Sequence, residues 1–207
     1  MFVKICGVTR PVDAVAAASA GADAIGLNFV PTSSRYVDLD IARTILDVVP
    51  EHVTAVGVFR NHAATEVLEI AGSLGLAAAQ LHGDETPDVT AAVAEHVTTV
   101  IKVFAAGSPA IASIGEHPAD VVMIDAAEPG RGVTFDWDLV GDLGANHRLL
   151  LAGGLRPDNV GDAIRRFGPW GVDVASGVEA EPRRKDPDAM SRFVAEARNA
   201  GGGSTNR

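Results

Sequence analysis

The chain has a single cysteine, Cys6, which excludes an internal disulfide and any cysteine-cluster metal site. Its six histidines are scattered, with no H-x-H or H-x-x-x-H pair to begin a metal site, so no metal is expected. Basic residues are also scarce: 17 Lys and Arg stand against 27 Asp and Glu, for a formal charge of −10. Nucleic acid and anionic membranes both demand clustered cations, so neither is an expected partner. An anionic small molecule stays open, because a pocket can be locally positive on an acidic protein. No apolar run approaches the ~18 residues needed to cross a bilayer, and the amino terminus lacks the plan of a signal peptide. A soluble, cytoplasmic protein is the expectation.

What is present is a core. With 207 residues, 47% of them hydrophobic, the chain can bury a large interior. Strand-like runs occur at Phe2–Cys6, Ala24–Phe29, Val53–Phe59, Ala77–Leu81, Thr99–Phe104, Val121–Asp125, Leu149–Ala152 and Val172–Ala175. Helical periodicity fills the gaps near Asp13–Ala20, Leu39–Val48, Ala63–Ser73, Pro87–Glu95, Pro109–Glu116, Trp137–Leu143, Pro157–Phe167 and Pro187–Arg198. The strands are mostly apolar throughout, as in a parallel sheet covered on both faces. Eight such units in one series predict a single-domain (β/α)₈ TIM barrel over residues 1–199, with 200–207 as a flexible tail. A doubly wound open sheet is the competing architecture.

In such barrels the chemistry collects at the carboxyl ends of the strands. Those positions here hold Cys6, Asn28, Arg60, His82, Lys102, Asp125, Gly153–Gly154 and Ser176–Gly177. Lys4 and Cys6 lie two apart on the first strand and share a face. A thiol behind a cation can be a low-pKa base or nucleophile. It can equally be a small buried hydrophobe. Asp125 ends an apolar strand at the barrel mouth, where a partly desolvated carboxyl is suited to giving up a proton. Strands one and six lie on roughly opposite sides of an eight-stranded barrel, so Cys6 and Asp125 would flank a ligand. Gly153–Gly154 and Ser176–Gly177 follow strands seven and eight, the usual phosphate cradle of this fold, where glycines let backbone N–H groups approach an anion. Proton shuttling on a phosphorylated sugar is the chemistry these positions suggest.

Several pieces carry a resemblance. Lys4-Ile5-Cys6-Gly7 with Thr9-Arg10, Gly26-Leu27-Asn28-Phe29 with Ser34-Arg35-Tyr36-Val37, and Gln80-Leu81-His82-Gly83-Asp84-Glu85 are similar to the phosphoribosylanthranilate isomerase family. So are Thr134-Phe135-Asp136-Trp137, Leu151-Ala152-Gly153-Gly154-Leu155 with Asn159-Val160, and Gly171 to Glu179 with Lys185-Asp186. The likeness runs from Phe2 to Ala197. It implies a barrel that carries out the Amadori rearrangement of tryptophan biosynthesis, converting N-(5-phosphoribosyl)anthranilate to 1-(2-carboxyphenylamino)-1-deoxyribulose 5-phosphate without metal or cofactor. It further implies Asp125 as general acid, Cys6 as general base, Arg35 on the anthranilate carboxylate, His82 in the substrate pocket and Asp173 on the ribose hydroxyls. The phosphate would rest on Gly153, Gly154, Ser176 and Gly177, with the loop around Gly130 and Gly132 closing nearby. Lys4 would favour a Cys6 thiolate unless Asp173, on the adjoining strand, neutralises it.

The chain departs from the family pattern in three places. Ala175 stands where a hydroxyl is often found, Pro129 replaces a loop glycine, and Arg183 occupies a position where glycine is common. Two other readings accompany the isomerase: a related aminoaldose–ketose isomerase of the histidine-biosynthesis type, which carries a carboxylate base where Cys6 stands, and an inactive phosphate-binding barrel. Family members are monomers or dimers, and a monomer is the expectation here.

Overall fold

The computed structural model describes residues 1–125 and 147–202. Eight parallel strands close into a barrel in chain order. They are β1 (Phe2–Ile5), β2 (Ala24–Asn28), β3 (Thr54–Phe59), β4 (Ala78–Leu81), β5 (Thr99–Ala105), β6 (Val121–Asp125), β7 (Leu149–Ala152) and β8 (Gly171–Val174). Closure is made by β1 against β8, with Phe2 opposite Gly171 and Lys4 opposite Asp173. The open sheet is thereby excluded.

Strand periodicity sorts the side chains. Val3, Ile5, Ile25, Leu27, Phe59, Leu81, Leu151 and Val172 face outward and join the large core beneath the helices. Ala24, Val56, Ala78, Ile101, Val103, Val121, Met123 and Leu150 face inward and fill the barrel. Gly171 is small because a Cβ there would lie 2.9 Å from the Cβ of Phe2 and 3.0 Å from Cδ1 of Leu150. The inward positions nearest the carboxyl ends break this apolar filling. They are Lys4, Gln80, Asp125 and Asp173, and they make the floor and wall of the site.

The helices are α1 (Pro11–Ser19), α2 (Leu39–Leu46), α3 (Ala64–Leu74), α4 (Pro87–Ala94), α5 (Val160–Phe167) and α6 (Pro187–Gly202). Their ends follow ordinary capping chemistry. Asp38 accepts from the Ile41 amide at 2.8 Å, Glu66 reaches back to the Ala63 amide at 3.0 Å, and α3 stops at Gly75 in the left-handed region. Two expectations are corrected. Pro109–Glu116 is a 3₁₀ segment rather than an α-helix; it buries only Ile114, too little apolar area for a full helix to repay, and Pro118 follows soon after its end at Glu116. The last helix runs on to Gly202, past the end expected at Arg198. The helix expected over Trp137–Leu143 lies outside the described residues.

A short antiparallel hairpin, β9 (Glu179–Glu181) and β10 (Arg184–Lys185), leaves the end of β8 and lies across the neighbouring loops. Thr9 donates to the Arg183 carbonyl at 2.7 Å, and the Lys185 amide reaches Asp13 at 3.4 Å. On the opposite end of the barrel, Arg198 of α6 hydrogen-bonds the carbonyls of Met1 and Gly21 and the carboxylate of Asp23. Asp23 in turn accepts from the Val3 amide at 2.7 Å.

Candidate active site

Cys6 follows β1, and its amide prolongs the β1–β8 ladder by donating to the Val174 carbonyl at 2.7 Å. The next residue, Gly7, turns the chain at φ +70°; a Cβ there would collide with Cδ of Arg35 at 2.3 Å. Gly26 on β2 makes room for the thiol itself, since a Cβ would lie 2.8 Å from Cys6 Sγ and 3.2 Å from Lys4 Nζ. Lys4 and Cys6 therefore do share the inward face. Lys4 is fully buried and paired to Asp173 at 2.8 Å.

Charge and burial set the thiol. Burial pushes the Cys6 thiol up; Lys4 pulls it down, Asp173 adds to the rise, and the net direction is up. This is the opposite of an activated low-pKa cysteine. The cation expected to favour the thiolate is largely spent on Asp173: burial alone would depress Lys4, yet Asp173 and the sulfur outweigh it and hold the ammonium firmly charged.

Asp125, at the end of β6, meets His82 at the exit of β4, with Nε2 3.3 Å from Oδ2. The His82 amide is anchored to the Phe59 carbonyl at 2.8 Å, and its Nδ1 lies 3.0 Å from the side-chain nitrogen of Gln80. The loop below is held by a buried pair: Lys102 donates to Glu85 at 2.7 Å and to the Gly83 carbonyl at 2.6 Å. Glu85 also accepts from the amides of Asn61 and Gly83. Burial would raise Glu85, but Lys102 and the amides prevail and hold its carboxyl below the usual range.

Arg35 sits in the loop after β2, with both its Nε and Nη2 bonded at 2.7 Å to the two oxygens of Glu179. Lys185, fully buried, donates to the same carboxylate at 3.1 Å and to the Ala175 carbonyl at 2.9 Å. Glu179 and Lys185 were present in the family-like pieces but carried no role there. Nothing in their spacing signals the pairing, because the hairpin that folds them back is itself a tertiary feature.

The glycine exits adjoin one another. Gly153 and Gly154 adopt φ +91° and +63°, and Ser176–Val178 forms a single 3₁₀ turn. A Cβ on Gly177 would fall 1.9 Å from the Leu155 carbonyl oxygen, so the two loops touch without an intervening side chain. Cys6, Arg35, His82, Asp125 and Asp173 line one cavity of about 250 Å³. Gly153, Gly154, Ser176 and Gly177 line it too, as does Gln80. A second cavity of about 800 Å³ shares His82 and Asp125 but touches neither the thiol nor the glycine loops. Chemistry that needs both belongs in the smaller one. Among the described residues no cluster of metal-ligating side chains occurs, and no helix is long and apolar enough to cross a membrane. The Thr134–Trp137 piece, Pro129, Gly130 and Gly132 lie outside the described residues.

The chain is a closed βα barrel with a thiol, a carboxyl and two touching glycine loops in one cavity, a layout suited to isomerising phosphorylated sugars. That is the class of phosphosugar isomerases. Residues 3–196 match the family described as N-(5'phosphoribosyl)anthranilate (PRA) isomerase, and the chain belongs to that family. The N-(5'-phosphoribosyl)anthranilate isomerase of Myxococcus xanthus is 45% identical over 206 residues, covering 95% of this chain and 96% of the relative. The phosphoribosyl anthranilate isomerase structure from Thermotoga maritima superposes with a TM-score of 0.87 at 38% identity, covering 96% of this chain and 99% of that one. The T. maritima protein is called dimeric. Another isomerase structure, in complex with reduced 1-(o-carboxyphenylamino)-1-deoxyribulose 5-phosphate, has a TM-score of 0.85 at 37% identity and the same coverage.

Proposed function

We propose that the smaller cavity converts N-(5-phosphoribosyl)anthranilate to 1-(2-carboxyphenylamino)-1-deoxyribulose 5-phosphate, the Amadori step of tryptophan biosynthesis, with Cys6 as base and Asp125 as acid. The amides of Gly153, Gly154, Ser176 and Gly177 take the phosphate. The free edge of the Arg35 guanidinium takes the anthranilate carboxylate, while Glu179 holds the other edge. Asp125 gives its proton to the ribose ring oxygen as the C1–O bond breaks, and the nitrogen lone pair forms the C=N⁺ bond of the iminium. That cation acidifies the C2 hydrogen. Cys6 Sγ removes it as a thiolate, and the electron pair neutralises the iminium to an enolamine. The enol hydroxyl then gives up its proton as C1 gains one, leaving the ketone. Asp173, already paired with Lys4, faces the sugar hydroxyls, and His82 holds Asp125.

One observation carries this reading: the only cysteine and the β6 carboxylate, far apart in sequence, share a cavity that is also lined by two touching glycine loops. The histidine-type alternative is disfavoured because its base would be a carboxylate where Cys6 stands. A monomer is the proposed working unit, checked by size-exclusion chromatography with light scattering. The cytoplasm is the compartment proposed for a biosynthetic enzyme of this family.

The fluorescence of the anthranilate adduct gives the direct assay. Cys6→Ala and Asp125→Ala should each lower kcat by about 10²-fold or more with the fold intact. Turnover near that of the unaltered enzyme in both variants would refute the assigned acid and base, and no turnover in the unaltered enzyme would favour the inactive barrel.

A further inference from the structure

Among the described residues, Gln80 is the one with a buried side-chain polar atom that lacks a hydrogen-bond partner. It lies on β4, points into the barrel, is 1% exposed, and lines the same cavity as Cys6 and Asp125. Its Oε1 is a buried acceptor with no hydrogen-bond partner among the described residues. Buried polar groups are almost always paired, and an orphan of this kind costs folding free energy.

The amide of Gln80 sets the tautomer of its neighbour. Its NH₂ lies 3.0 Å from His82 Nδ1 and can only donate, so Nδ1 is the lone pair and the ring proton is on Nε2. Nε2 faces Oδ2 of Asp125 at 3.3 Å, which leaves Oδ1 to carry the proton that the proposed acid gives up. The amide oxygen lies on the other side of the group and meets no partner among the described residues. The enzyme thus spends one bond of Gln80 on His82 and leaves the other open.

Resting on the isomerase reading above, we infer that Gln80 Oε1 accepts a hydrogen bond from a hydroxyl of the substrate sugar, making Gln80 a substrate-binding residue of the reaction. The sugar is the donor-rich part of the substrate, whereas its phosphate and carboxylate ends offer acceptors that would repel a carbonyl oxygen. A preformed, desolvated acceptor gains a partner on binding without first shedding water, and the folding free energy lost to the orphan is recovered there.

The experiment joins stability to ligand affinity. Gln80→Met fills the same volume and removes both polar atoms. Its melting temperature should equal or exceed that of the unaltered enzyme, while kcat/KM falls and the inhibition constant of reduced 1-(o-carboxyphenylamino)-1-deoxyribulose 5-phosphate rises, each by about tenfold. The same substitution in a His82→Ala background separates contact from indirect action, with the inhibition constant as the readout. A residue that touches the sugar retains its roughly tenfold effect there, and one acting only through His82 loses it. An unchanged inhibition constant, or an effect that vanishes without His82, overturns the inference. Should the Met variant not fold, Gln80→Asn, which withdraws the oxygen by one methylene, must show the same weakening of the inhibitor. An active unaltered enzyme with an unaffected variant refutes the role of Gln80 alone, whereas an inactive unaltered enzyme refutes the isomerase reading.

Discussion

The thiol of Cys6, the proposed base, is favoured in its protonated form by burial. Its pKa lies above the ordinary value, raised first by desolvation and then by Asp173, with Lys4 only partly offsetting them. Since the proposed mechanism needs the thiolate, kcat/KM should climb with pH along a limb whose midpoint lies above the ordinary thiol value of about 8.5. Removing the cation by Lys4→Met should move that limb further up, and a pH–rate profile under single-substrate conditions reads both effects. Arg183 gives a second residue-scale expectation. It adopts φ +71° at the tip of the β9–β10 hairpin, which accounts for glycine being common there. The left-handed backbone costs a side-chain-bearing residue about 1–2 kcal/mol, and glycine gives back roughly 0.5–1 in unfolded-chain entropy. Arg183→Gly should therefore stabilise the fold by about 0.5–1 kcal/mol in urea melts, with its carbonyl still bonded to Thr9. Cys6, Asp125 and the paired glycines were legible in the sequence because residue type and position at a strand end carry their meaning. Gln80 was not, since a glutamine inside a family-like piece says nothing about an unpaired oxygen until its neighbours are in place.

Among the elements, the hairpin holds Arg35, the proposed ligand of the anthranilate carboxylate, through Glu179. Glu179 is shared between Arg35 and the buried Lys185, and its carboxyl is held low by both against the opposing effect of burial. Glu179→Ala removes this anchor and leaves Lys185 buried without its carboxylate. The fold should lose about 3 kcal/mol, and KM should rise more than kcat falls, because Arg35 then samples orientations that do not face the substrate. Lys185→Met in the same background should recover part of the stability but not the KM. From sequence, eight strands were readable and so were the helices with a clear apolar stripe. The 3₁₀ segment was misjudged because Pro109–Glu116 has helical spacing but only one side chain to bury. The hairpin escaped notice because its strands are too short for any periodicity.

At the scale of the molecule, closure of the barrel follows from apolar, β-branched strands at regular intervals, and this was plain in the chain. What holds the rim in place is less visible: the buried Lys102–Glu85 and Lys185–Glu179 pairs join residues whose partners only the closed barrel supplies. Both carboxyls have lowered pKa values in the folded state. Their contribution is fully present above the unfolded-state value of about 4.3 and is lost as pH falls through the lower folded values. The urea midpoint should accordingly drop steeply below about pH 4.3, and Glu85→Gln, less stable at neutral pH, should show a shallower decline.

The order of strands in the closed barrel imposes an order on biosynthesis. The first strand pairs early with the second, but its other hydrogen-bond partner emerges from the ribosome only with Gly171–Val174, and Arg198 clasps the opening residues later still. Until then, the nascent chain exposes the edge that carries its only thiol. The machinery of catalysis cannot come into being piecemeal along the growing polypeptide; it arrives whole, when the end of the chain meets its beginning.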